Sequence, residues 1–218
     1  FPYTTLFRSH VSSDALEVVV HGLRAINNLA GFVVTVPHKT AMVDLCDDLT
    51  ADARLIGAVN VIHRTQDGRL LGTMLDGEGF VAGLRAEGIE PQGLSAYVAG
   101  AGGAASAICF ALVRAGVKRL TIANRTTDKV VQLIDRIKTM SPSVELLIGS
   151  PDPSGNDLVV NATSLGLRSD DALPLNALQL QPNQVVAEII MQPVETPLLK
   201  AAAARGCRIH FGAPMLAS

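Results

Sequence analysis

The segment Tyr97-Val98-Ala99-Gly100-Ala101-Gly102-Gly103-Ala104-Ala105-Ser106 decides the fold. A short aliphatic run enters three closely spaced glycines and leaves them through alanines, the pattern of a strand turning directly into a helix. The glycines let the backbone turn tightly and approach a pyrophosphate. The following helix start offers free N–H groups and a positive dipole end to the same anion. Its spacing is Gly-x-Gly-Gly rather than G-x-G-x-x-G, so the strand before and the helix after carry the reading. A purely structural turn is the alternative.

Working outward, the pattern predicts a strand over 95–99 and a helix over 104–115. A strand over 119–123, a helix over 129–140 and a short buried strand over 158–160 follow. A strand over 185–190 and a helix over 197–205 complete the series. Strands alternating with helices of this length imply βαβ units and a parallel sheet. Asn124-Arg125-Thr126 follows the second strand, 24 residues after Gly100. An acidic residue near this point holds a ribose 2′-hydroxyl in NAD-binding folds. Here a guanidinium stands beside amide and hydroxyl groups, which suits a 2′-phosphate through charge-assisted hydrogen bonds. The expected cofactor is NADP.

Toward the N-terminus, Gly and Pro between positions 88 and 93 mark a break, giving expected domains at 1–87 and 88–218. In the first, apolar spacing predicts a helix over 11–29 capped by Ser13 or Asp14. A strand over 32–36 ends at Pro37, and a helix over 42–49 follows. Strands over 58–62 and 70–72 flank the turn Asp67-Gly68, and a helix over 77–86 is capped by Asp76. Lys39 then sits at a helix start, where a cation meets the positive dipole end at a cost of about 0.3–1 kcal/mol. That field favours the neutral amine a proton-transferring lysine needs; a surface lysine tolerated at a frayed helix start is the equal alternative. The reading of Asp76 as more than a cap depends on its lying near Lys39.

Composition narrows the class. The 218 residues are 48% hydrophobic and 17% charged with a formal net charge of −2, which excludes a disordered chain and a basic nucleic-acid-binding face. No apolar run is long enough to span a bilayer. Three separated cysteines and scattered histidines show neither a disulfide framework nor ligand spacing, so no metal is expected. These features point to a reduced, cytoplasmic α/β protein, monomer or homodimer, with a small-molecule substrate. The opening residues 1–9 lack a signal peptide's h-region and fit none of the later patterns. They read as an artefact in place of a natural N-terminus, and both ends are expected to be truncated.

Further motifs occur in order: Val34-Thr35-Val36-Pro37-His38-Lys39, Ile56-Gly57-Ala58-Val59-Asn60, Asp76-Gly77-x-Gly79-Phe80 and the glycine loop. Asn124-Arg125-Thr126-x-x-Lys129, Asn161-Ala162-Thr163-Ser164-x-Gly166, Thr196-Pro197-Leu198-Leu199 and Gly212-x-x-Met215-Leu216 complete the set. From about residue 14 onward the chain resembles the shikimate/quinate dehydrogenase family. The resemblance implies a truncated N-terminal α/β substrate-binding domain and a Rossmann-like NADP-binding domain. It also implies reversible reduction of 3-dehydroshikimate to shikimate in aromatic amino-acid biosynthesis.

By resemblance, Lys39 moves the proton, Asp76 pairs with it, and Thr35 and Asn60 hold ring hydroxyls. Gly100, Ala101, Gly102, Gly103 and Ala104 would cradle the cofactor, with Asn124, Arg125, Thr126 and Lys129 at its 2′-phosphate. Thr163, Ile189, Gly212 and Met215 would lie near the nicotinamide. The chain departs from the family at Val33, Met74 and Leu75, and at Met191, where a carboxylate-gripping tyrosine is usual. Two alternatives stay open: a paralogue for quinate, aminoshikimate or another cyclic hydroxy acid, and a catalytically silent nucleotide-binding module. Retention of both Lys39 and Asp76 speaks against the second.

Overall fold

The computed structural model describes residues 8–216; the reading of 1–9 as an artefact falls almost wholly on residues outside that range. The described residues form two sheets. In the first half, helix α1 (Leu16–Arg24) precedes β1 (Gly31–Val33), β2 (Asp48–Leu49), α2 (Ala51–Ile56), β3 (Val61–Arg64) and β4 (Leu70–Thr73). The sheet order is β1-β3-β4-β2, antiparallel except for β2 beside β4. The turn Asp67-Gly68 joins β3 to β4 as expected, with Gly68 at φ 84°. Helix α3 (Asp76–Ala86) then leads into the second half.

There β5 (Ser95–Ala99), α4 (Gly103–Arg114), β6 (Arg119–Ala123), α5 (Thr127–Met140) and β7 (Glu145–Ile148) wind one way from the centre. Strands β8 (Leu158–Asn161) and β9 (Val185–Glu188), helix α6 (Pro197–Ala204) and β10 (Arg208–His210) wind the other. The order β10-β9-β8-β5-β6-β7 is wholly parallel, and the central strands β5 and β8 are buried at every position, as a sheet covered on both faces requires. Winding reverses beside β5, and ligands bind such sheets outside the strand ends at that reversal.

Several elements differ from expectation, each for a local reason. Strand β1 stops at Val33 because Thr35 accepts from the His38 N–H and the chain turns. The helix expected over 42–49 is a 3-10 turn, Ala41–Leu45, followed by β2. Asp47 draws that segment to β4, its N–H reaching Leu70 O at 2.9 Å and its carboxylate accepting from Leu70 N at 2.7 Å. Strand β3 begins only at Val61, since the Val59 N–H is taken by Lys39 O at 2.9 Å. Helix α1 is shorter than the apolar spacing suggested and is entered through a 3-10 turn at Ser13–Ala15. Elements α2, β7 and β10 are short and were not foreseen.

The two halves meet backbone to backbone. A Cβ on Gly77 of α3 would lie 2.2 Å from Ala107 O of α4, and one on Gly79 would lie 2.2 Å from Met215 O. Helix α2 is tied across as well. Arg114 of α4 donates to the Asp52 carboxylate at 2.7 and 2.5 Å, which holds that carboxyl below its ordinary range. Arg136 of α5 donates to the carbonyl of Ile56.

Candidate active site

A cleft of about 880 Å³ runs along the carboxyl ends of the second sheet and under the turn that carries Lys39. That volume falls within the range of ligand pockets. Lys39 does not begin an α-helix. It lies in the turn before the 3-10 segment Ala41–Leu45, so the dipole argument made from sequence does not apply. Its ammonium instead donates to Asp76 Oδ2 at 2.5 Å, with side chains 13% and 4% exposed. A lysine has three N–H donors, so others remain for the cleft that Lys39 lines.

Asp76 is not the cap of α3. Leu75 occupies that position without a side-chain hydrogen bond, and Asp76 is the first helical residue. Its carboxylate faces inward, accepting from Asn60 Nδ2 at 2.6 Å on the oxygen that Lys39 leaves free. Asn60 in turn accepts from Leu75 N at 2.9 Å. Lysine, aspartate and asparagine form one chain that runs from the cleft into the interior and is held at its inner end by the Leu75 N–H. Neither Asn60 nor Asp76 lines the cleft wall; the Asn60 side chain is engaged with Asp76 and with Leu75 N.

The glycine loop meets this chain directly. A Cβ on Gly103 would sit 3.1 Å from the Cβ atoms of both Lys39 and Ala58. Gly100 has φ 119°, and a Cβ there would lie 2.9 Å from Ala162 O, so glycine is required twice over. Gly102 faces open space, and α4 begins there with no side-chain cap, leaving its first N–H groups available to an anion.

Of the positions read from sequence, Thr35, Lys39, Gly100, Ala101, Gly102, Gly103 and Ala104 line the cleft. So do Asn124, Arg125, Lys129, Thr163, Ile189 and Met215. Thr126 does not; its carbonyl accepts from Asn124 Nδ2 at 3.1 Å, which shapes the turn that displays Arg125. Gly212 does not either. A Cβ on it would meet Ile190 O at 2.4 Å, so it lets the last turn approach the end of β9. Thr40, Ser150, Ser164 and Gln192 line the cleft unforeseen. Ser150 was missed together with β7, whose end it follows. Burial raises all three thiols, Cys46 to about 11, so none is a ready nucleophile. Among the described residues no group of His, Cys, Asp and Glu is arranged to hold a metal.

A parallel nucleotide-type sheet, an uncapped glycine-rich helix start and a buried lysine–carboxylate pair at one cleft define a nucleotide-dependent oxidoreductase. Comparison with known proteins makes the family specific. The model for the shikimate dehydrogenase substrate binding domain matches residues 4–62, and that for shikimate / quinate 5-dehydrogenase matches residues 86–164. The chain belongs to the shikimate dehydrogenase family. It is 43% identical to the shikimate dehydrogenase (NADP(+)) of Rubrobacter xylanophilus, over 94% of this chain and 74% of that one.

Two solved structures are similar to this chain. Shikimate 5-dehydrogenase from Thermus thermophilus, in complex with NADP(H) and shikimate, superposes with a TM-score of 0.82 at 31% identity, covering 95% of this chain and 75% of that one. The ligand-free 5-ketofructose reductase of a Gluconobacter strain gives 0.78 at 37% identity, covering 95% and 76%.

Proposed function

We propose that the protein is an NADP-dependent dehydrogenase interconverting 3-dehydroshikimate and shikimate, a step of aromatic amino-acid biosynthesis. The observation that carries this reading is the Lys39–Asp76 pair beside Gly103, the arrangement that a proton-transferring lysine next to a nucleotide cradle requires. Residues 1–87 are assigned to substrate and 88–218 to nucleotide, in keeping with one sheet on each side of the turns at Gly88 and Gly93. The three cysteines are free, in keeping with a reducing, cytoplasmic setting.

The residues present fit the nucleotide. Open space at Gly102 and the uncapped start of α4 suit its pyrophosphate, and Arg125 with Lys129 suits a 2′-phosphate. When bound, NADP(H) supplies the acceptor or donor of hydride. In the reducing direction, a Lys39 Nζ–H donates to the ring ketone oxygen and delivers its proton as that carbon gains hydride. In the oxidising direction Lys39 takes the hydroxyl proton back as the C–H bond breaks. Asp76 orients the ammonium, and Asn60 fixes Asp76. Thr35 offers its hydroxyl to the ring. A turnover assay with shikimate and NADP⁺ tests the reading, and no formation of NADPH would refute it.

Met191 favours a second reading. It lines the cleft where the family's tyrosine is expected, and a thioether cannot donate as a phenol does. A related cyclic hydroxy acid or ketose would then be the better substrate. Parallel assays with shikimate, quinate and 5-ketofructose decide by the ratio of kcat/KM.

Cofactor choice gives a separate prediction. Arg125→Ala should weaken NADP⁺ by roughly ten- to a hundredfold, the worth of one hydrogen bond to a charged group. NAD⁺ binding should be almost unchanged. Calorimetric titration with both nucleotides checks this, and equal losses would remove Arg125 from the 2′-phosphate site.

A further inference from the structure

Glu188 is a buried carboxylate that the chemistry above does not use. It ends β9 directly opposite Asn161, which ends β8, and both side chains are wholly buried. Four donors converge on it. Asn161 Nδ2 and Thr196 Oγ1 each reach Oε2 at 3.0 Å, and the N–H groups of Ile189 and Ile190 reach Oε1 at 2.9 and 3.2 Å. Those backbone bonds end the strand at Glu188, two residues before the apolar pattern predicted.

Asn161 extends the same clamp into the neighbouring turn. Its Oδ1 accepts from the Thr163 N–H at 3.0 Å and from Thr163 Oγ1 at 2.7 Å, and its Nδ2 also donates to Leu165 O at 3.0 Å. Thr163, Leu165, Ile189, Ile190 and Met191 all line the cleft. One carboxylate thus fixes the two turns that form one wall at the carboxyl ends of β8 and β9. Burial pushes the Glu188 carboxyl up from its ordinary range despite the four donors, and no charged side chain contributes to that shift. A group this costly to bury at a ligand-facing sheet edge needs a compensating use.

We propose that Glu188 is a positioning residue for the nicotinamide end of the cleft, locking the turns after β8 and β9 into the wall against which the reactive ring lies. The proposal rests on the placement of NADP given above. All four partners are donors, so the carboxamide of Glu188→Gln would turn an N–H toward one donor pair and release a turn. The probes are NADP⁺ and 2′,5′-ADP, which shares the 2′-phosphate and the adenosine 5′-phosphate and lacks the nicotinamide half.

In Glu188→Gln the Kd of NADP⁺ should rise about tenfold while that of 2′,5′-ADP stays at its wild-type value. Turnover should fall by roughly ten- to a hundredfold, the usual cost of a small misplacement of reacting groups. Equal weakening of both nucleotides, or loss of thermal stability with neither affected, would overturn the proposal. If the amide variant does not fold, Glu188→Asp keeps the charge, shortens the reach, and is read by the same ratio. Binding needs no turnover. A wild type that binds NADP⁺ but oxidises no hydroxy acid would refute the substrate assignment, and this comparison would still decide Glu188.

Discussion

Replacing Lys39 by methionine is expected to lower kcat by roughly 10²–10⁴-fold, the usual worth of a positioned general acid–base. Methionine fills similar space but neither donates nor carries a proton. Asp76 would then keep Asn60 as a partner and lose its cation. Nucleotide affinity should hardly change, because the phosphate contacts assigned to the nucleotide lie on the glycine loop and after β6 and its nicotinamide wall lies after β8 and β9. Steady-state kinetics with direct titration of NADP⁺ separates the two effects. Near-native turnover would remove Lys39 from proton transfer, and a parallel loss of NADP⁺ binding would mean the substitution disturbs Gly103 instead.

The second large effect concerns the seam between the halves. Gly77→Val would drive a branched side chain into Ala107 O, 2.2 Å from where its Cβ must stand, and into the Ala111 side chain at 2.9 Å. Backbone on one side must move, an overpacking cost of about 3 kcal/mol. For a chain of this size that lowers the melting temperature by roughly 6–12 °C. Gly22→Ala is the control, since a Cβ on Gly22 in α1 meets nothing within 4 Å. Alanine there should be neutral or slightly stabilising, because it removes unfolded-state freedom. Thermal unfolding of both variants checks the pair; equal shifts would show that the close approach of α3 and α4 is not what glycine at 77 serves.

Much of the second sheet was legible because its signals are local. Tyr97 to Ser106 carries strand, turn and helix start within ten residues, and the fingerprint after β6 follows at a fixed distance. The first half was harder. Apolar spacing over Met42, Leu45 and Leu49 fits a helix face, yet Asp47 answers to Leu70 across the sheet, and no local pattern records that partner. Helix α2 is only six residues long, too short for periodicity to stand out.

The site shows the same division. The residues alone single out Lys39 and Asp76 separately and only the family resemblance pairs them, because their contact is a tertiary fact; the dipole assigned to Lys39 does not exist here. Asp76 carries the residue type of a cap at nearly the right place, so its inward use was masked by a sound local rule. Asn161 and Glu188 are 27 residues apart and meet only through strand register. The one hint in sequence was a polar residue closing each buried aliphatic run, at Asn161 after Val160 and at Glu188 after Ala187.

The most direct test follows the hydrogen itself. Wild-type protein is incubated with 3-dehydroshikimate and NADPH carrying deuterium at the transferred position, and the product is examined by mass spectrometry. The account predicts shikimate with one deuterium on the new carbinol carbon, formed far more slowly by Lys39→Met. Shikimate without deuterium, no shikimate at all, or equal rates with and without Lys39 would contradict it.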